Sequence, residues 1–215
     1  MHLKSSLDIE VLDLGKVSYH EVWNLQKQMQ AQRIENQIKD TLILVEHFPV
    51  YTLGKNASKK NIIIKSNNAI PIIETDRGGE VTYHGPGQLV GYPILDLKNY
   101  KQSITWYMRS LEKIILKVLH KYAIIGSTKK GLTGVWVEDQ KISAFGVRIS
   151  KWVTMHGFSL NLNTDLSHYN GIIPCGLTNY GVTSIFNILN KEVTMQNLKK
   201  IIIEEFSLFF KKERV

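Results

Sequence analysis

GVWVEDQKISAFGVRISKWVTMHGFSLNLN (134–163) decides the fold. It divides into three β segments, GVWVED (134–139), KISAFGVRI (141–149) and VTMHGFSLNLN (153–163), with a tight connection at 138–140. Successive strands joined by short turns pair antiparallel. Outward from this unit, TLILVEH (41–47) and QLVGYPILDL (88–97) read as buried strands, and Pro93 weakens the ladder of the second because it has no N–H to donate. IIIK (62–65) and AIPII (69–73) are short β candidates. Ser18 and Glu21 stand in capping-box spacing, with Val22, Leu25, Met29, Ile34 and Ile38 following at helical spacing, so 18–38 reads as a helix. Ile104, Tyr107, Leu111, Ile114, Ile115 and Val118 mark a clearer one over 103–122. Thr194 caps a last helix, with Leu198, Ile201, Ile202, Phe206 and Phe209 on its apolar side. Helices and hairpins intermix without regular βαβ alternation. The expected class is α/β of the α+β type, a mixed, largely antiparallel sheet with flanking helices, and not a Rossmann fold.

The 215 residues are 43% hydrophobic and 21% charged, which excludes a disordered or collagen-like chain and fits one domain over 1–215. Cys175 is the single cysteine, so no intrachain disulfide forms and a reducing compartment is expected. No apolar run approaches the roughly 18 residues of a membrane span. MHLKSSLDIE has acids at Asp8 and Glu10 and no apolar block, unlike a signal or transit peptide. A cytoplasmic protein without membrane contact is expected. Charge is uneven: residues 1–107 hold 12 basic and 11 acidic side chains, residues 108–215 hold 15 and 8. A basic half attracts acidic partners. The absence of helix-turn-helix, zinc-finger and RNP motifs argues against nucleic acid.

RGGEVTYHGPGQ (77–88) is the first candidate site. Gly78, Gly79, Gly85 and Gly87 are interleaved with Arg77, Tyr83 and His84, in neither P-loop nor G-x-G-x-x-G spacing. Cys175 in IIPCGL (172–177) is the second. A lone cysteine is commonly a small buried hydrophobe, but a Pro–Gly turn puts a thiol at the surface. A thiol with a pKa of about 8.5 is only about 3% thiolate at pH 7, and a nearby cation raises that fraction. Lys141, Arg148 and His156 are the candidate partners. Alone, Lys141 reads as a hairpin lysine and His156 as a strand histidine. No His or Cys spacing fits zinc, and no G-x-S-x-G elbow is present. The residues by themselves lead to an α/β protein with a glycine-rich loop and a possible cysteine nucleophile.

RGGEVTYHGPGQLVGYP (77–93), GVWVEDQKISAFGVRISKWVTMHGFSLNLNTDL (134–166) and IIPCGL (172–177) together resemble the lipoyl(octanoyl) transferase family, in its order and spacing. The K-I-x-x-x-G, H-G and P-C-G elements set it apart from the related lipoate and biotin ligases. The resemblance implies a biotin/lipoate-ligase-like catalytic fold. It implies transfer of an octanoyl group from acyl carrier protein to a lysine of apo lipoyl domains, those of 2-oxoacid dehydrogenase complexes and the glycine cleavage H protein. No cofactor and no metal are implied. Cys175 matches the acyl-accepting cysteine and Lys141 its paired lysine. Arg77, Gly78, Gly79, Glu80, Val81, Thr82, Tyr83 and His84 match the substrate-binding loop. Ala144, Phe145 and Gly146, with Gly157, Phe158 and Ser159, match two further lining stretches. The alternatives are an ATP-dependent lipoate or biotin ligase, a Cys175–His156 thioesterase, and a non-catalytic basic binding module.

Overall fold

The structure is a computed structural model that describes residues 9–63, 70–173 and 180–215. Cys175 lies outside the described residues, as do 64, 65 and 69 of the two short β candidates. In chain order the elements are β1 (Glu10–Val17), α1 (Tyr19–Ile34), β2 (Thr41–His47), β3 (Val50–Leu53), β4 (Ile72–Glu74), β5 (Val81–His84) and β6 (Gln88–Ile94). They continue with α2 (Ile104–Lys121), β7 (Ser127–Lys129), β8 (Leu132–Val137), β9 (Gln140–Ser150), β10 (Val153–Asn161), β11 (Gly181–Val182), α3 (Ile185–Leu189) and α4 (Met195–Lys212).

The main sheet runs β1-β2-β6-β10-β9-β8-β7, with β11 added to β9. Its pairs are antiparallel except β1 with β2 and β11 with β9. A smaller sheet, β4-β3-β5, joins β3 to β4 in parallel and to β5 antiparallel. The fold is therefore mixed and largely antiparallel, with flanking helices.

Alternation along the strands divides the main sheet's side chains between two faces. On one face Leu42, Leu44, Leu89, Phe158 and Leu160 join Leu111, Ile115 and Val118 of α2 and Leu198, Ile202 and Phe206 of α4 in one core cluster. Ser103 and Thr194 cap these two helices by accepting the backbone N–H of Trp106 and Asn197. On the other face Ile43, Val45, Val90, Tyr92 and Met155 pack with Tyr19 and Val22 of α1. A third cluster, with Tyr51, Leu53, Val81, Tyr83, Tyr169 and Ile172, sits on the smaller sheet.

Helix α1 ends at Ile34, four residues short of the expected 38, and its buried stripe is not the apolar one. Ser18 accepts the N–H of Glu21 as expected. The buried face, however, carries Gln26, Gln30 and Arg33 beside Tyr19 and Val22. The reason is β10. His156 has φ +59 inside that strand, and its N–H turns to Gln26 Oε1 at 2.9 Å. Gln30 Nε2 donates to Val153 O at 2.9 Å. Backbone groups released by an irregular strand need buried polar partners, and the glutamines supply them.

Pro93 sits at this irregularity. The β6–β10 ladder stops at Gly91 opposite Phe158, and pairing returns at Asp96 opposite Val153. Between them Thr154 Oγ1 donates to Pro93 O at 2.7 Å. Strand β4 begins at Ile72, within the AIPII candidate, while Ile62 forms an isolated bridge to Ile172.

Candidate active site

On the face shared with α1, β9 and β10 carry unusually small side chains. Cross-strand register pairs Ala144 with Ser159 and Gly146 with Gly157, while the intervening Phe145 and Phe158 belong to the helix-side cluster. A Cβ on Gly157 would lie 2.2 Å from Gly91 O and 2.6 Å from Pro93 Cδ. A Cβ on Gly146 would lie 2.8 Å from Gly78 O. The first glycine lets β10 press against β6. The second lets the glycine-rich segment close over the sheet, where Gly78 N donates to Val147 O at 3.0 Å.

The space left is a pocket of about 340 Å³, in the range of small-ligand sites. The structure brings Arg77, Gly79, Glu80, Val81, Thr82, His84, Lys141, Ala144, Phe145, Gly146, Gly157, Phe158 and Ser159 to its walls. Gly78 and Tyr83 do not line it. Gly78 is spent on the contact with β9, and Tyr83 is buried beneath the smaller sheet, 5.6 Å from Tyr51 and from Tyr169 between ring centroids. The glycine-rich segment is not wholly a loop either: residues 81–84 form β5. Tyr19, Asn56, Val90, Tyr92, Gly131, Leu132 and Thr133, which carry no local signal in the sequence, complete the lining together with His156.

Arg77 is a buried post. Its guanidinium donates to Thr52 O at 2.6 Å, Thr52 Oγ1 at 2.9 Å, Glu80 O at 2.8 Å and Gly78 O at 3.1 Å. It thus ties the glycine-rich segment to β3 while placing a permanent positive charge beside the pocket. Lys141 is also buried, with Nζ 4.7 Å from the Trp136 ring centroid.

The three cation candidates separate. Arg148 is ion-paired with Asp76, and His156 Nε2 also meets Asp76 Oδ1, at 2.8 Å. Trp23 Nε1 donates to the same oxygen at 3.1 Å. Asp76 therefore gathers α1, β9 and β10. These partners, the hydrogen bond from His156 first, hold its carboxyl far below the usual carboxylate range. Burial pushes the imidazole of His156 down despite Asp76, so Nε2–H donates to the carboxylate. Lys141 has no part in this cluster.

Two more histidines are neutral for the same reason. Burial lowers His47 to about 4 and His84 to about 3. His47 Nδ1 donates to Val17 O at 2.9 Å, so Nε2 accepts from Tyr92 OH at 2.8 Å.

The described residues on both sides of 174–179 are held by backbone hydrogen bonds. Ile63 N donates to Gly171 O and Ile173 N to Asn61 O. Beyond the segment, Val182 of β11 pairs with Lys141 itself, and Thr183 N donates to Lys141 O at 3.0 Å. Among the described residues, no group of three or more His, Cys, Asp or Glu can hold a metal ion, and no helix is long and apolar enough to cross a membrane.

Residues 18–207 match the lipoyl protein ligase A/B catalytic domain family. The chain belongs to that family. Within the lipoyl protein ligase family its relatives include the octanoyltransferase of Koribacter versatilis, 42% identical over 95% of this chain and 85% of the relative. The octanoyltransferase of Gloeobacter violaceus is 48% identical over 78% and 76%. Among solved structures, the bipartite lipoate protein ligase of Thermoplasma acidophilum superposes with a TM-score of 0.73 at 16% identity, covering 95% of this chain and 84% of that one. The biotin protein ligase of Aquifex aeolicus gives 0.59 at 15% identity, covering 96% and 72%. The expected ligase-like fold is thereby established. The activity that goes with the sequence kinship is octanoyl transfer, an acyltransferase reaction of protein lipoylation.

Proposed function

We propose that the chain moves the octanoyl group in two steps through a thioester on Cys175, with Lys141 as the paired acid–base group and the small-residue pocket holding the acyl chain. The observation that carries this reading is the pairing of β11, which follows 174–179 in the chain, with the pocket residue Lys141. The Lys141 ammonium favours the thiolate, which attacks the donor thioester and releases the carrier thiol. The acceptor lysine amine then displaces the thiolate, and Lys141, once neutral, takes up the proton lost by the amine. The donor thioester is already activated, so the reaction needs no ATP. Arg77, Gly79, Glu80, Val81, Thr82 and His84 form one wall, and Ala144, Phe145, Gly146, Gly157, Phe158 and Ser159 the other.

The donor in this reading is octanoyl-acyl carrier protein and the acceptors are apo lipoyl domains, both acidic proteins. Eight of the basic residues in the second half are on α2 and α4, the side of the sheet opposite the pocket: Arg109, Lys113, Lys117, Lys121, Lys199, Lys200, Lys211 and Lys212. Exposed Lys55 and Lys130 directly precede the pocket residues Asn56 and Gly131 and are the better-placed attractors. Long-range steering is screened over a Debye length of about 8 Å at physiological salt. The transfer rate is therefore expected to fall with added salt.

The test is intact-protein mass spectrometry with octanoyl-acyl carrier protein and no ATP. One octanoyl group is expected on wild type, mapping to Cys175, and none on Cys175→Ser. Activity that survives Cys175→Ser and requires free octanoate with ATP would instead identify a ligase. Release of free octanoate irrespective of an acceptor domain would identify a thioesterase.

A further inference from the structure

His84 is held by a chain of hydrogen bonds that leaves its orientation no freedom. Asn161 Nδ2 donates to Thr183 O at 2.9 Å, which turns Asn161 Oδ1 toward Gln88. Gln88 Nε2 donates to that oxygen at 2.9 Å and to Tyr83 O at 3.1 Å, which turns Gln88 Oε1 toward His84. Two backbone carbonyls, which can only accept, thus set both amides. His84 Nδ1 is 2.7 Å from Gln88 Oε1 and must carry the proton. Nε2 is left as a lone pair with no hydrogen-bond partner among the described residues, on a ring that lines the pocket. Tyr19, 5.9 Å away between centroids and 10° from coplanar, stacks on that ring and fixes its plane. A fixed acceptor in a pocket that also contains Lys141 fits a ligand with an N–H to donate.

We propose that His84 Nε2 accepts a hydrogen bond from the incoming lysine amine and orients that amine for attack on the acyl thioester. This rests on the two-step route above. In that step the amine nitrogen bonds to the thioester carbonyl carbon, and the carbon–sulfur bond to Cys175 breaks with its electron pair leaving on sulfur. One amine proton passes to neutral Lys141, which restores the ammonium beside the departing thiolate. The other stays on nitrogen as the amide N–H, and this is the one His84 holds. His84 does not compete for the departing proton, because burial, His47 and Arg77 all disfavour its imidazolium. It is a positioning acceptor that touches substrate, and its effect belongs to the second step.

The two steps are timed separately on the full chain, first with octanoyl-acyl carrier protein and then with apo lipoyl domain. His84→Phe keeps a ring against Tyr19 and removes the acceptor. Its second step is expected to slow about tenfold more than its first, the scale of one lost hydrogen bond. Equal slowing of both steps, or an unchanged second step, overturns the role of His84 and leaves the thioester route standing. Wild type that never forms the acyl-enzyme overturns both. If His84→Phe does not fold, the wild-type imidazole is read by nitrogen-15 NMR. The expected result is the Nδ1–H tautomer, with the Nε2 resonance shifting on addition of n-butylamine. An Nε2–H tautomer, or no shift, overturns the proposal.

Discussion

The two faces of the central sheet put the same strands to opposite uses. Toward α2 and α4, β6 and β10 present Leu89, Phe158 and Leu160, all buried in a filled core. Toward α1 and the smaller sheet, β9 and β10 present Ala144, Gly146, Gly157 and Ser159, and a pocket remains. Because side chains alternate with a period of two, Phe145 lies between Ala144 and Gly146, Phe158 lies between Gly157 and Ser159, and Leu160 follows Ser159, so the residues that fill the core are next to small ones that make room. A one-residue slip of register would exchange the two sets.

The contrast is broken most severely at Gly157. Alanine there would force its Cβ into the main chain of β6, at a cost expected to exceed about 4 kcal/mol. Denaturant unfolding should show this as little or no folded protein. Leu160→Ala on the filled face should cost about 3 kcal/mol by cavity formation, with the acyl chain-length preference of the remaining folded protein unchanged.

Acidification strikes the pocket face next. His47 and His84 are neutral when folded, with pKa values of about 4 and 3, whereas an unfolded histidine binds a proton near pH 6.5. The unfolded state therefore holds more protons below that pH. Stability should fall as pH drops from about 6.5 toward 4, by up to about 1.4 kcal/mol per unit for each histidine. Asp76, whose folded pKa is depressed, adds its own loss only below about pH 4. Urea titrations at pH 7, 5.5 and 4.5 measure the slope, and His47→Gln should reduce it by one histidine's share. The smallest stability effect is expected from Ala144→Leu, under about 1 kcal/mol. The added volume enters the pocket, so hexanoyl donors should outcompete octanoyl ones when the two are supplied together.

Much of this was legible in the sequence. The capped helices α2 and α4 follow from periodicity because each buries one apolar stripe, and the strand at 41–47 follows from its unbroken apolar run because both of its faces are buried. The 134–163 meander follows from three β segments joined by short turns. The strand β1 did not, because none of its side chains is fully buried and Asp13, Gly15 and Lys16 interrupt its apolar residues. Residues 81–84 read as loop because glycines surround them, although Val81 and Tyr83 point to one cluster while Thr82 and His84 face the pocket. The buried face of α1 was misjudged because Gln26 and Gln30 answer to a backbone irregularity 123 or more residues away. Asp76 and Tyr19 carried no local mark. Their importance comes from what converges on them in space.

The central claim is that the acyl chain lies on the small-residue face. The most direct test is photo-crosslinking with an octanoyl donor that carries a diazirine at the end farthest from the thioester, followed by peptide mapping. Adducts are expected at Gly146, Gly157 or Tyr92, on the walls of the pocket. Adducts on α2 or α4 would contradict the account, because the chain would then be lodged on the face that the core already fills.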